Sequence, residues 1–290
     1  MYPKNNSHTI VDAIILCGIL CFFGYIGYRL FYSLNYQWNW GIIPTYLVRF
    51  DAKSQSWTSN LLLDGFFTTI KISAWGTFFA VIIGFTIGLM RVSPRLFFQL
   101  SGRSYIETIR NTPPLVLVFI FYYFISDQFL SFIGIEDYFR TSPKYVQELL
   151  TTLFAKPALI TPFLSGVITL GLFQGAYIAE IVRAGIQAID GGQWEAGRSL
   201  GFTRWQLMRL IILPQAVRIM LPPLANEFIN TIKWSSIVSI ISIQELTFQG
   251  LQIMASTQAT IEIWLTISSM YLGLCLTLSL VVRKMEKHLA

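Results

Sequence analysis

The chain has 290 residues, of which 54% are hydrophobic and 12% charged, with a formal net charge of +6 at pH 7. So large an apolar share with so few charges excludes an ordinary soluble domain and a disordered chain, and requires the apolar residues to be gathered into long runs. The basic residues alternate between loops and form no single cluster, so the positive charge reads as a topology signal and gives no reason to invoke nucleic acid.

Runs of about 20 apolar residues can cross a bilayer as helices. Six are expected, over Ile10 to Leu30, Leu62 to Met90, Leu115 to Ile135, Leu159 to Val182, Ile219 to Ile243 and Ile263 to Val282. Lys4, Arg91, Arg95, Arg103, Arg110, Arg183, Arg198, Arg204, Arg209, Arg218, Arg283, Lys284 and Lys287 then fall on one side. Arg29, Arg49, Lys53, Arg140, Lys144 and Lys156 fall on the other. The richer side is the cytoplasm, which also places both termini there.

The first run has no small-residue cleavage site after it and is read as a retained helix. A Trp-rich outer loop with Trp38, Trp40 and Trp57 follows, suited to the headgroup region. Cys17, Cys21 and Cys275 lie within expected spans as packing residues and offer no disulfide framework. In the second span, "GFTIG" sets Gly84 and Gly88 four apart, a spacing for close helix approach. Lys71, two turns from Asp64, is expected to snorkel outward.

After a basic loop, Pro113 and Pro114 open the third span, where the missing amide hydrogens do no harm. Between the third and fourth spans, Tyr145, Leu149, Leu150 and Leu153 recur at helical spacing, which predicts an amphipathic surface helix or a docking face for an outer partner. Glu180 and Arg183, three apart where the fourth span ends, are expected to pair.

The segment 190–215 is polar and basic, and it is ordered. Asp190, Gly191 and Gly192 break the preceding helix, and a new one is predicted from about Gln193, with Glu195 in its first turn and three residues from Arg198. Gly201 stops it, as a residue able to adopt positive φ does. Thr203 and Gln206 form a capping-box pattern that starts a second helix, with Trp205, Met208, Ile211 and Ile212 on one face and Pro214 closing it. The expected product is a compact helix–turn–helix knob. A solvated connecting loop needs no cap, stop and second cap within so short a span.

Glu195, Ala196, Gly197, Gly201, Ile211, Leu213 and Pro214 match the spacing of the EAA signature of ABC importer permeases, E-A-A, three residues, G, nine residues, I-x-L-P. With "IRNTPPLV", "AYIAEIVRAGIQAI", "GQWEAGRSLGF", "ILPQAVRIMLPPLANEFI" and "KWSSIVSI", the chain resembles the polar amino-acid uptake permeases, the histidine, glutamine, glutamate and arginine group, from Leu62 to Lys287. The resemblance implies an all-α integral membrane protein, with a five-helix type I ABC importer permease core (62–290) and one extra N-terminal transmembrane helix with its outer loop (1–61).

It also implies a bacterial inner-membrane permease dimer, of two copies or with a homologous sister. A cytoplasmic ATPase would grip Glu195 to Pro214, and an extracytoplasmic solute-binding protein would deliver a polar amino acid. Glu195 would be the charged contact, Gly201 the turn, and Trp205 with Met208 would pack on the permease body. No GxxxxGK[ST] phosphate loop occurs, so ATP and Mg are expected on the partner ATPase and no cofactor on this chain.

Three departures stand out, one being that the extra first helix and the long outer segment fall outside the five-helix core. Gly197 replaces the signature's second alanine, at about 1 kcal/mol in helix propensity, and Trp234 follows Lys233 where the group commonly has aspartate. Polar groups within spans mark candidate pathways. Asn226, Asn230 and Lys233 share a face of the fifth span, with Glu227 beside it and Ser235 and Ser236 beyond. A cation there suits a substrate carboxylate, and structural hydrogen bonding between helices is the competing reading. Rival functions are a secondary transporter or channel, and a structural subunit that supports a sister permease without binding substrate.

Overall fold

The computed structural model describes residues 6–33, 36–52 and 55–289. It falls into two compact units, Met1–Trp40 and Gly41–Ala290. Lys4 and Lys53 lie outside the described residues. In the first unit, α1 (Asn6–Ser33) carries an apolar span over Val11–Arg29. It is apolar all round, as a helix in lipid should be. Beyond it, the rings of Trp38 and Trp40 stack at 5.9 Å.

The second unit begins earlier than residue 62, because a short helix, α2 (Ile42–Leu47), and a hairpin, β1 (Val48–Asp51) with β2 (Ser56–Ser59), belong to it. The hairpin pairs Phe50 with Trp57, whose rings meet edge to face at 5.6 Å. Apolar α2 residues pack against the Leu62 and Leu246 cluster, and the Asn60 side chain donates to the Thr45 carbonyl at 2.7 Å. Sequence reading missed the hairpin because its alternation is four residues long and sits among tryptophans that already had an interfacial explanation.

Among the described residues, five helices are long and apolar enough to cross a membrane: Val11–Arg29, Leu61–Arg91, Pro157–Gln187, Arg204–Ile241 and Thr260–Met285. The expected third span is not among them. After α4 (Leu96–Asn111), it is built in pieces from α5 (Pro114–Ile120), a π-helical turn over Phe121–Ser126 and α6 (Asp127–Ile133). The reason is the proline pair. Thr112 precedes Pro113 and is forced to an extended backbone, so α4 stops at Asn111 and the chain restarts as helix with Pro114 in its first turn.

The stretch expected to be a basic loop is therefore helix α4, and it runs into the bundle. Gly102 faces the Arg91 side chain, the Tyr105 hydroxyl donates to the Leu172 carbonyl, and the Arg110 guanidinium stands 5.5 Å from the Tyr177 ring centre.

The centre of the unit is the pairing of α3 (Leu61–Arg91) with α9 (Ile160–Gln187). A β-carbon at Gly84 would stand 2.5 Å from Ile178 Cγ2, and one at Gly88 would stand 2.6 Å from Val182 Cβ. Those two glycines let the backbones close on each other, as the small-residue spacing predicted. At the Asn60 end, α7 (Ile135–Thr141) leads to α8 (Lys144–Leu153), the amphipathic helix expected there, with Tyr145 and Leu149 exposed.

Lys71 does more than snorkel. Its ammonium donates to the Thr151 carbonyl at 3.2 Å, and Trp75 Nε1 donates to the Leu153 carbonyl at 3.1 Å, so α3 satisfies the free carbonyls ending α8.

The fifth span runs through α12 (Leu213–Trp234) into a 3-10 stretch, Ser235–Ile241, and stops at Ser242 with φ 61. Then α13 (Leu246–Thr257) is capped by fully buried Glu245, which accepts from the Thr247 and Phe248 amides at 2.9 and 2.8 Å and from the Tyr271 hydroxyl at 2.7 Å. Tyr271 lies on α14 (Thr260–Leu289). The three cysteines are free, with Cys17 and Cys21 exposed along α1.

Replacing Gly88 with leucine forces α3 and α9 apart. Overpacking of this kind costs about 1–3 kcal/mol, so the detergent-solubilised variant should unfold several degrees below wild type; equal melting temperatures in a fluorescence-detected size-exclusion series would refute the close contact.

Candidate functional site

The segment after α9 folds as two caps joined by a stop. Asp190 is the N-cap of α10 (Gly191–Ser199), its carboxylate accepting from the Gly192 amide at 2.6 Å. The helix thus starts two residues before the expected Gln193, because an aspartate cap outweighs two glycines in the first turn. The helix ends in a Schellman arrangement. The Gly201 amide reaches the Arg198 carbonyl at 3.0 Å, and the Phe202 amide reaches that of Gly197 at 3.1 Å, with Gly201 at φ +79.

Thr203 then closes the predicted capping box, its amide donating to Gln206 Oε1 at 2.9 Å while its hydroxyl accepts from the Gln206 amide. The Gly192, Gly201, Phe202, Thr203 and Gln206 amides at this elbow thus find partners outside a regular helical ladder.

The second helix differs from the expected one. After α11 (Arg204–Leu207) comes a π-helical turn over Met208–Ile212, which leads directly into α12 with Pro214 in its first turn. Pro214 therefore does not close the segment. The wide turn absorbs the missing amide hydrogen, and the second helix continues as the fifth span.

The extra residue in that turn also rotates the expected apolar face. Leu207 and Ile212 are buried at 1% and 0% exposure, Met208 and Ile211 pack partly against the same cluster, and Trp205 projects outward at 69% exposure. Trp205 is thus not a packing residue of the permease body, and Leu207, overlooked in the sequence, is.

Glu195 and Ala196 are exposed on α10, while Gly197 is buried. Among the described residues, Glu195 and Arg198 form no ion pair, so the i,i+3 spacing is not used. A β-carbon on Gly197 would stand 2.3 Å from Leu207 Cδ1. The departure from the signature's alanine thus makes room for Leu207, which locks α10 onto the cluster of Val182, Ile186, Ile212 and Met220. The helix propensity lost at Gly197 is offset by this contact.

The predicted ion pair at the end of α9 is present, Arg183 Nε meeting both Glu180 oxygens at 3.0 Å.

On α12, Asn226 and Lys233 stand exposed on one face, and Asn230 is half-buried and donates to Glu227 Oε2 at 3.3 Å. Ser235 is fully buried and donates to the Ile232 carbonyl at 2.7 Å, and Ser236 donates likewise to that of Lys233. Behind the stripe lies a residue the sequence reading passed over. Buried Gln174 of α9 donates to Thr231 Oγ1 at 3.0 Å, and Thr231 donates in turn to the Glu227 carbonyl at 2.9 Å. A glutamine inside an apolar span was the available signal. Trp234, another departure, meets the Phe173 ring edge to face at 5.3 Å.

The family described as "Binding-protein-dependent transport system inner membrane component" matches residues 76–290. The "Probable glutamine ABC transporter permease protein GlnM" of Bacillus subtilis (strain 168) is 33% identical over 230 residues, 79% of this chain and 94% of the relative. The "Glutamine transport system permease protein GlnP" of Escherichia coli (strain K12) is 34% identical over 229 residues, 79% of this chain and 93% of the relative. Among solved structures, a chain of an amino acid ABC transporter with histidines superposes with a TM-score of 0.62 at 35% identity, over 79% of this chain and 94% of that one.

The Gly197–Leu207 contact is open to a double-mutant cycle. Gly197→Ala and Leu207→Val should each lower the melting temperature, and together less than additively, with a coupling of about 1 kcal/mol; strict additivity would show that the two side chains do not compete for space.

Proposed function

This chain belongs to the family of binding-protein-dependent transport system inner membrane components, and on that premise we propose that it is the permease subunit of an ATP-driven importer of polar amino acids. It is a multi-pass membrane transport component. Membership in this family sets aside the channel and secondary-transporter readings.

The observation that carries the mechanism is the pinned elbow. A segment capped at both helix starts, closed by a Schellman turn and anchored through Leu207 moves as a body, whereas a loop would absorb a push. The ATPase grips Glu195 and its neighbours Ala196, Gly201 and Trp205, and buried Gly197 acts behind them by seating Leu207. Trp205 serves as an exposed contact on this side of the knob, and Ile211, Leu213 and Pro214 carry the motion into the fifth span.

ATP and Mg act on that separate ATPase. Two permeases, either copies of this chain or this chain with a sister, enclose the path, and a solute-binding protein delivers the amino acid at the Asn60 end. Both termini then lie in the cytoplasm, in keeping with the basic residues at the Arg91 end.

For the path itself, Asn226, Asn230 and Lys233 present polar atoms on one face of α12, backed by Glu227 and the Gln174–Thr231 pair. Lys233 meets the substrate carboxylate, and Glu227 the amino group. Ser235 and Ser236 keep the chain in its 3-10 turn by bonding their own carbonyls, and present no hydroxyl hydrogen to a solute. The glutamine permeases among the relatives make an uncharged polar amino acid the first substrate to try.

Two measurements test this. Wild-type chain purified from membranes should bring an ABC ATPase with it and Glu195→Arg should lose it; an ATPase absent from both would sink the coupling assignment. In proteoliposomes with the full complex, Lys233→Met should assemble normally and lose uptake by about ten-fold or more, an effect of at least 1.4 kcal/mol on the path. Unchanged uptake would remove Lys233 from the path.

A further inference from the structure

The Asn60 end of the second unit holds a cavity of about 780 Å³, within the range of small-molecule sites. Its wall brings together the hairpin, the first turns of α3, the end of α8, the start of α9 and the link into α13. Arg49, Lys71 and Lys156 line it with Asp64 as the one carboxylate, above a floor that includes Phe67 and Phe163.

The charges in this wall are not balanced. Among the described residues, none of the three cations belongs to an ion pair; Lys71 donates to the neutral Thr151 carbonyl and feels the Asp64 charge without direct contact. Asp64 already accepts the Ser59 hydroxyl. Three positive groups against one negative, backed by apolar wall, concentrate anions. A second observation points to a donor. Gln249 also lines the cavity, is 3% exposed, and its carboxamide oxygen has no hydrogen-bond partner. A buried acceptor left unpaired is costly unless something with an N–H fills the space beside it.

We propose that this cavity is an entry site for the amino-acid zwitterion, upstream of the α12 stripe. The carboxylate sits between Arg49 and Lys156, with Lys71 near, and the ammonium meets Gln249 Oε1 and Asp64. The inference rests on the proposed function for its choice of solute. It concerns a site at the opposite end of the unit from Glu195, and Arg49 and Thr58 in its wall precede residue 76, where the family match begins.

The test is equilibrium binding of radiolabelled L-glutamine and L-glutamate to the assembled permease–ATPase complex in nanodiscs, without solute-binding protein. Wild type is compared with Arg49→Gln/Lys156→Gln and with Lys144→Gln, which removes an exposed charge at the start of α8. Saturable binding that the double substitution weakens by about ten-fold, as loss of charge-assisted contacts does, and that Lys144→Gln leaves unchanged, supports the entry site. No binding to wild type, or equal binding by the double variant, overturns it.

Discs of neutral lipid and of phosphatidylglycerol form a further arm. If the double substitution changes retention of phosphatidylglycerol and not of either amino acid, the cations hold a lipid phosphate and the proposal is wrong. ATP-driven uptake by the complete wild-type importer is measured in parallel. Uptake present with the binding result negative defeats the entry site alone, whereas no uptake of any polar amino acid defeats the functional reading beneath it.

Discussion

Everything in the second unit is positioned by the contact of α3 with α9 at Gly84 and Gly88, where the two backbones approach too closely for any side chain. In lipid there is little hydrophobic gain from putting one apolar helix against another, so shape and close packing must hold a bundle together. Once that pair is fixed, α4 can lay Tyr105 against α9 and α12 can pack Met220 into the same cluster. At the far end, α13 can seat Glu245 between Thr69 and Tyr271. The elbow over 190–215 is an extension of this core, because Leu207 and Ile212 are buried in the same cluster as Val182 and Ala80.

Proline and the π-helical turn shape what the core leaves free. The two π-helical turns, Phe121–Ser126 and Met208–Ile212, adjoin proline-containing helices. In the first case the prolines end one helix, α4, and start the next. In the second a proline is accommodated without a break. The difference lies in the neighbour: Thr112 directly before Pro113 goes extended, while Leu213 before Pro214 stays helical because the preceding turn has already widened.

What could be read from the sequence was what depends on neighbours along the chain. The Gly201 stop, the Thr203–Gln206 box, the Glu180–Arg183 pair and the amphipathic run ending at Leu153 are each decided within four residues, and all are present. What was misread depends on partners distant in sequence or on a register shift. Helix α4 looked like a loop because half its apolar face is exposed and its buried face is completed by α9. Trp205 looked like packing because a regular helix would have aligned it with Ile212. Gly197 looked like a weakness until Leu207 was seen to need the space. In the candidate path the stripe was legible from helical spacing, but Gln174, which comes from another helix, was not.

The continuity of helix from Arg204 through Trp234 means the knob and the polar stripe sit on a single rod, roughly 45 Å long at 1.5 Å per residue. Pro222 and Pro223 lie partway along it and deprive two carbonyls of their helical partners, which makes that point the softest in bending. A rod held near one end by Leu207 and Met220, and pliant just beyond them, behaves as a lever with a built-in elbow joint. A small tilt imposed at the Arg204 end would be expressed as a sideways sweep of Asn226, Asn230 and Lys233. The amplitude of that sweep is set by where the prolines fall and not by what imposes the tilt.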